Sequence, residues 1–193
     1  PNTEASLVKP PAFAPPPIES LPVRFQQTQP RDLAPGHYPE GVLVTTGICR
    51  MREGVYRIGG PGLRIGGTGR LETDRALVCI DPGSSLILDG DAVAVLDGPA
   101  ADEFGDDSGG LGAWSGVSVM ATGEGAGPVI EVIEEARLLS GGAMVLPDGE
   151  LRVNGGELRC PLLVIRRVVV EDQGLLRADP EQAEPHPHEH LLV

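Results

Sequence analysis

The chain has 193 residues, a length that suits one domain, and it carries a formal net charge of -13. Hydrophobic residues make up 40% of the sequence but aromatic residues only 3%, so a core must be built from aliphatic side chains. This negative charge disfavours the Lys/Arg-rich surfaces that bind nucleic acids or anionic lipids. We therefore expect no nucleic-acid partner, and membrane contact only through an anchor outside this sequence.

The first segment, residues 1–30, is rich in proline. Proline can neither donate to a β-ladder nor continue a helix, so this segment is predicted to be an extended linker. The run Pro15–Pro17 lacks the basic flank that orients ligands of proline-recognising modules, which favours a spacer. The sequence begins at Pro1 and shows no signal peptide, so we expect a processed or excised segment.

A repeated phrase marks the second segment, residues 31–177. Gly36–Tyr38 (GHY) returns 18 residues later as Gly54–Tyr56 (GVY), each time followed by a short alternating strand and a glycine turn. A repeat of this length is typical of one coil of a solenoid, in which equivalent residues stack about 4.8 Å apart. The sequence therefore predicts an all-β fold, a right-handed parallel β-helix with irregular coils and disordered proline-rich ends.

Individual rungs of this β-helix can be recognised. Gly62–Gly67 (GLRIGG) and Glu150–Gly156 (ELRVNGG) are near copies, in which the aliphatic residues are predicted to point inward and the arginine outward. Turn signals then separate strands predicted at Ala76–Ile80, Ser85–Leu88 and Ala92–Leu96. The last of these is apolar on both faces, so we expect one side of it to meet another strand, a loop or a subunit.

An acidic insertion follows at residues 99–114. Carboxylates within and beside it could offer oxygen ligands to calcium, but their spacing matches neither the EF-hand nor the GGxGxD calcium repeat, and a solvated loop is favoured. These carboxylates are Asp97, Asp102, Glu103, Asp106 and Asp107. Trp114, the only tryptophan, is predicted to cap a coil end rather than to stack against a sugar.

The stretch Pro128–Ser140 poses a conflict between two periodicities. Its apolar residues fall near helical spacing, yet Ile130–Val132 alternates as a strand and the neighbouring stretches are bounded by glycine. We predict strand here. The predicted order then continues with strand Gly142–Leu146, a turn at Pro147–Gly149, and strands over residues 151–153 and 162–170.

No residue is predicted to be catalytic, to bind a cofactor or to ligate a metal. Cys49, Cys79 and Cys160 are expected to be small buried hydrophobes, although one pair could form a disulfide across neighbouring coils. The glycines of residues 59–62 precede no helix, which argues against a phosphate-binding loop. The third segment, residues 178–193, is predicted to be a flexible tail whose histidines, His186, His188 and His190, have no rigid geometry for a metal.

The order of these phrases resembles the C-terminal region of tight-adherence (Flp-type) pilus-assembly proteins of the TadG kind. The phrases are Leu33–Tyr38, Gly54–Ile58, Leu63–Ile65, Trp114–Val119 and Gly142–Gly156. The resemblance covers residues 33–177, but the family's N-terminal membrane segment is absent, and Met144-Val145 stands where the family tends to have an isoleucine-tyrosine pair. It implies a non-enzymatic structural or adhesion protein of the cell envelope, periplasmic or at the cell surface, with other pilus-assembly or envelope proteins as partners.

Two other function classes remain open. A polysaccharide-cleaving β-helix enzyme would need carboxylates gathered along one groove, whereas the acidic residues Asp81, Asp89, Asp91 and Asp97 lie in predicted turns. A polysaccharide-binding β-helix would need paired aromatic platforms for sugars, and the sequence has one tryptophan and two tyrosines. A self-assembling scaffold, of the bactofilin kind or a phage fibre module, could form by self-association through the coil ends or through the apolar strand 92–96. Irregular coils argue against long regular stacking.

Overall fold

The protein is a stack of short parallel β-strands. The computed structural model describes residues 21–24, 27–28, 31–99, 114–122 and 125–179. In chain order the strands are β1 (Gln27–Thr28), β2 (Asp32–Leu33), β3 (Gly36–Tyr38), β4 (Val42–Val44), β5 (Ile48–Met51), β6 (Gly54–Ile58), β7 (Leu63–Ile65), β8 (Arg70–Thr73), β9 (Ala76–Ile80), β10 (Ser85–Leu88), β11 (Val93–Leu96), β12 (Val117–Ala121), β13 (Val129–Ile133), β14 (Arg137–Ser140), β15 (Ala143–Asn154), β16 (Glu157–Cys160), β17 (Leu163–Glu171) and β18 (Leu175–Ala178). Within these ranges no helix has the length and apolar character needed to span a bilayer.

Three strand segments form each coil, and about six coils stack into a solenoid with three faces. Face one contains β3, β6, β9, β12 and the first parts of β15 and β17. Face two contains β1, β4, β7, β10, β13 and the second parts of β15 and β17, so these two long strands join both faces into one sheet. Face three is the seven-stranded sheet of β2, β5, β8, β11, β14, β16 and β18. The predicted parallel β-helix is therefore confirmed.

The core is a set of aliphatic columns that run along the stack. On face two, one column passes through Val42, Leu63, Leu86, Ile130 and Leu151, all of which are buried. Stacking removes apolar surface from water at about 25 cal/mol for each Å², so every added coil extends the hydrophobic stabilisation.

The two rungs recognised in the sequence lie on this same face. In β7, Leu63 and Ile65 are buried and Arg64 is exposed, as predicted. The second rung, in β15, repeats the pattern with Leu151 and Val153 inside and Arg152 outside. Both rungs therefore contribute to the two core columns of face two.

The repeated phrase does not stack on itself. Gly36 lies opposite Tyr56, and not opposite Gly54, so the prediction that equivalent residues stack is wrong for this pair. On face three, Leu33 lies opposite Met51, a shift of 18 residues. Gly36 is three residues after Leu33, whereas Tyr56 is five residues after Met51, so the second coil uses two more residues to reach the matching position on face one.

What the repeat encodes is a corner. The Tyr38 hydroxyl donates to the carbonyl of Ala34, and the Tyr56 hydroxyl lies 2.9 Å from the equivalent carbonyl of Arg52. The two rings stack with centroids 6.5 Å apart. The two tyrosines thus close the same corner in successive coils.

The stretch with two periodicities forms strands, as predicted. Val129–Ile133 is β13 and Arg137–Ser140 is β14, with Glu134 at a positive φ of 62° in the turn between them. Ile130, Val132 and Leu138 point into the core. Tertiary packing determines the secondary structure of this segment. An amphipathic helix here would remove β13 from one sheet and β14 from the other.

The turn predicted at Pro147–Gly149 is wrong, because β15 runs through these residues without a break. The register with β17 shifts between Leu146 and Glu150, which marks a bulge. A bulge bends the strand while it stays extended. The chain therefore turns from face one to face two without a separate loop.

β9 is covered on both sides, whereas the predicted Ala92–Leu96 is not. All five residues of β9 are buried, whereas Val93 and Val95 of β11 are only half-buried on their outer side. The cover over β9 includes Trp114, which packs with Leu77 on the outer surface of face one. Trp114 therefore does not cap a coil end. As the last residue of the acidic insertion, it covers the outer side of β9.

The stack includes residues of the segment predicted to be a linker. Val23 forms an isolated parallel bridge with His37, and β1 pairs with β4. At the other end, β18 continues to Ala178. The three cysteines are free and buried, as expected.

The contacts between coils predict that alanine substitutions at two corner glycines, Gly62 and Gly47, lower the free energy of unfolding by very different amounts. A Cβ on Gly62 would lie 1.9 Å from the carbonyl oxygen of Ser85 in the next coil, whereas a Cβ on Gly47 would meet no atom within 4 Å. Both residues have positive φ, of 94° and 71°. We expect Gly62→Ala to lower the free energy of unfolding by more than about 3 kcal/mol and Gly47→Ala by about 1 kcal/mol. Urea denaturation of the two variants measures the difference, and equal losses would contradict the corner geometry.

Candidate functional site

Polar side chains from four successive coils meet at one edge of face one. They surround Asp81, the residue directly after β9. Arg57 projects outward from β6 and His37 from β3, in adjacent positions of the ladder. Thr122 follows β12 in the next coil. We call these four residues the Asp81 cluster.

The Asp81 carboxylate lies at the centre of the cluster. Arg57 Nε donates to its Oδ1 at 2.7 Å, and the Thr122 hydroxyl lies 2.7 Å from the same oxygen. Oδ2 lies 3.6 Å from His37 Nε2. The carboxylate also packs against Gly59, where a Cβ would come within 3.0 Å of Oδ2. The absence of a side chain at Gly59 therefore makes room for the charged group.

A histidine beside a carboxylate is an arrangement used in general acid-base catalysis. Here the carboxylate already accepts hydrogen bonds from Arg57 and Thr122, and His37 Nε2, which is buried, has no hydrogen-bond partner among the described residues. The Thr122 hydroxyl donates toward Asp81 and is not placed to be activated by the histidine. The geometry therefore suits the linking of three coils better than the activation of a nucleophile.

A small cleft lies near the Asp81 cluster. It has a volume of about 50 Å³, and its lining includes Pro82, Thr122, Gly127 and Asp148. Pockets that bind small molecules are usually about 300–1,000 Å³, whereas a space of this size holds one or two water molecules. The cleft is too small for an organic substrate.

Other charged side chains on the outer surface also pair between coils. Arg64 reaches Asp89 in the next coil at 2.6 Å, and Arg152 reaches Glu131 in the preceding coil at 2.9 Å. Arg152 also bonds Glu150 at 2.6 Å within β15. The hydrogen bond from Arg152 is the main cause of a lowered pKa at Glu150. These residues form paired charges on the outer surface of face two.

The three thiols lie in apolar surroundings. Burial raises the pKa of Cys160 to about 11 and that of Cys49 to about 12, in the second case with a smaller contribution from the charge of Asp32. Burial also raises the pKa of Cys79, which packs beneath Trp114 on the outer side of β9. A thiolate is the reactive form of cysteine, so none of these positions favours nucleophilic or redox chemistry.

The structure describes only some of the residues that the sequence offers to a ligand. No group of three metal-ligating side chains is gathered anywhere in the described part of the chain. Asp97 follows β11, but the rest of the acidic insertion, Asp102–Asp107, and the tail histidines lie outside the described residues. Gly59–Gly62 forms a tight turn against Pro39 and Ser85, which leaves no cradle for a phosphate.

The Asp81 cluster was not found from the sequence. The sequence predicts Asp81 only as part of a turn, and Asp81 does form that turn, since its carbonyl accepts a hydrogen bond from Ser84 N at 3.0 Å. Its ion pair with Arg57 spans 24 residues. Arg57 lies between the inward residues Tyr56 and Ile58 of β6, so the sequence can predict that its side chain points outward. Its partner is determined only by the register between β6 and β9.

The partial burial of the Asp81–Arg57 pair predicts a measurable contribution to stability. We expect Asp81→Ala to lower the free energy of unfolding by about 2–3 kcal/mol, because Arg57 and Thr122 lose their common acceptor. Asp89→Ala serves as the matched control. Its partner Arg64 is 59% exposed, compared with 28% for Arg57, so a loss below about 1 kcal/mol is expected. Urea denaturation at pH 7 compares the two, and a smaller loss for Asp81→Ala would contradict a linking role.

The raised thiol pKa values predict slow alkylation of the folded protein. For Cys160, a pKa of about 11 in place of 9.0 lowers the thiolate fraction at pH 8 by roughly 100-fold, and burial limits access further. Iodoacetamide at pH 8, followed by intact mass measurement, should modify no thiol within the time that labels all three in urea. Rapid labelling of the folded chain would contradict the buried positions.

Comparison with known proteins adds no relative. A scan against protein-family models, a search of curated proteins and a search of solved structures gave no match to this chain. The β-helix therefore rests on the strand pairing of this protein itself. The likeness to tight-adherence pilus proteins rests on the order of the sequence phrases.

Proposed function

We propose that this chain is a non-enzymatic structural module of the cell envelope, accessory to the assembly or surface function of a tight-adherence type pilus. The observation that carries the structural role is the pairing of outward charges between coils. Arg57 with Asp81, Arg64 with Asp89, and Arg152 with Glu131 each link two coils. Charged groups used in this way stiffen a rod, and they are not gathered toward a substrate.

The same pairing argues against the hydrolysis of polysaccharide. A glycoside hydrolase needs two carboxyl groups facing each other across a sugar-sized groove, one of them free to act as a base or nucleophile. The carboxylates of Asp81, Asp89 and Glu150 are each engaged by an arginine. The nearby cleft of about 50 Å³ admits no sugar ring.

The envelope assignment rests on the sequence resemblance. The phrase Leu33–Tyr38 contains β3, Gly54–Ile58 forms β6 and Trp114–Val119 enters β12. These strands follow the chain order along face one, with β9 between β6 and β12. A stack of coils with paired surface charges is a suitable spacer or contact module in a surface structure. Other pilus-assembly or envelope proteins are its proposed partners.

A second candidate function is a self-assembling scaffold. It is favoured by the last coil, where the inward residues Val168 and Val170 are exposed. The number of residues between stacked positions varies from coil to coil, and this variation argues against regular filaments. Val42 pairs with Leu63, whereas Leu86 pairs with Ile130 across the acidic insertion.

Localisation of the gene product in its source cell separates the two candidates. An epitope-tagged product of the full-length gene is fractionated into cytoplasm, membrane, periplasm and sheared surface filaments, with a cytoplasmic enzyme as a control for lysis. We expect recovery in the envelope or filament fractions. Recovery with the soluble cytoplasmic control would contradict the pilus proposal and leave the scaffold.

A further inference from the structure

The C-terminal coil ends the stack with its apolar side chains uncovered. Leu151 and Val153 are buried core residues of β15, and their partners in β17 are Val168 and Val170. These two valines continue the core columns of face two, yet they are 42% and 44% exposed. No further coil covers them among the described residues.

The backbone edge of the same coil is also open. β17 has nine residues and pairs with β15 along one side, and within the described ranges no strand pairs with its other side. A long strand edge with exposed apolar residues is a template for pairing with another strand. Val164 and Ile165 lie half-buried on the face-one part of this edge.

The N-terminal end of the stack offers a poorer template. Among the described residues, its pairing consists of the two-residue strands β1 and β2 and the isolated bridge of Val23. Pro22 and Pro30 flank these elements and carry no N–H group. The two ends therefore differ, and the long apolar edge is at the C-terminal end.

We propose that two copies of this chain join through their C-terminal coils about a two-fold axis. In this dimer β17 pairs antiparallel with the partner's β17, centred on Val169. The segment that decides this arrangement is Arg167–Glu171 (RVVVE), which is complementary to itself when reversed. Isologous contacts of this kind are the commonest basis of homodimers.

The side-chain directions fit this pairing. Directly opposed residues of an antiparallel pair point to the same face. Arg167, Val169 and Glu171 lie opposite Glu150, Arg152 and Asn154 of β15 and point outward, whereas Val168 and Val170 point inward.

Antiparallel pairing centred on Val169 sets Arg167 against the partner's Glu171 and Val168 against the partner's Val170. Two ion pairs then flank a continuous apolar core. Arg167 is 65% exposed and lies 3.5 Å from Glu150, so it can turn toward a partner.

This arrangement closes on itself. A two-fold contact uses the C-terminal end of both copies and leaves the short, proline-flanked ends outermost, so assembly stops at two chains. A filament would instead need the C-terminal end of one copy to pair with the N-terminal end of the next. The dimer does not depend on the pilus proposal, which is tested by localisation.

Sedimentation equilibrium on the full 193-residue chain tests the proposal. We expect a dimer. Arg167→Glu and Glu171→Arg should each weaken it by at least about tenfold, because each creates two like-charge contacts across the axis. The double variant R167E/E171R restores both pairs with their signs exchanged, so the affinity should return toward that of the unchanged chain. Arg64→Glu is the matched control, since it removes an outward ion pair in the middle of the stack and should leave the dimer intact.

A second variant tests the apolar part of the contact. Val168→Lys places two ammonium groups in the joined core and should give a monomer, while its circular dichroism spectrum stays that of the folded β-sheet. A monomer for the unchanged chain would overturn the proposal and favour residues 180–193 as the cover of this edge. Filaments, or failure of R167E/E171R to recover the affinity lost by the single variants, would overturn it as well.

Discussion

The hydrogen-bonded register between neighbouring coils is the constraint on which the rest of this protein depends. Each inward aliphatic side chain packs between the equivalent positions of the coil before and the coil after, as Leu63 does between Val42 and Leu86. Corners must therefore absorb any difference in the number of residues per coil. The glycines at these corners permit this where the chains approach closely, most clearly at Gly62 beneath Ser85.

The same register determines which charged side chains meet on the surface. It brings Asp81 to Arg57 and Thr122, and Arg152 to Glu131, so charged residues distant in sequence become coil-to-coil contacts. It also buries the free thiols, whose raised pKa values make them unreactive. A structural role fits a surface that engages its charges in this way, and the proposed envelope function follows from the likeness of the phrases to pilus-assembly proteins.

A stack must also end, and its two ends do so differently. At the N-terminal end, short strands and prolines leave little edge to pair. At the C-terminal end, the core columns stop at Val168 and Val170 while still half-open to solvent. The physical need to cover these valines, together with the reversed complementarity of Arg167–Glu171, connects the fold to its proposed dimer.

Local patterns in the sequence were enough to identify the parallel β-helix, the strands Ala76–Ile80 and Ser85–Leu88, and the buried state of the cysteines. These features depend on alternation and on glycine turns, which act over a few residues. Only the tertiary structure decided that Gly36 stacks on Tyr56, because the pairing of β3 with β6 is made between two coils and is not encoded within either phrase.

The Asp81 cluster and the position of Trp114 over β9 also emerged only in three dimensions. The cluster joins residues from different coils, and the cover on β9 depends on where a long insertion returns to the stack. The sequence by itself therefore determined the repeating unit. The tertiary structure decided how the units are aligned, what covers them and where they stop, because those properties arise from contacts between coils rather than within one.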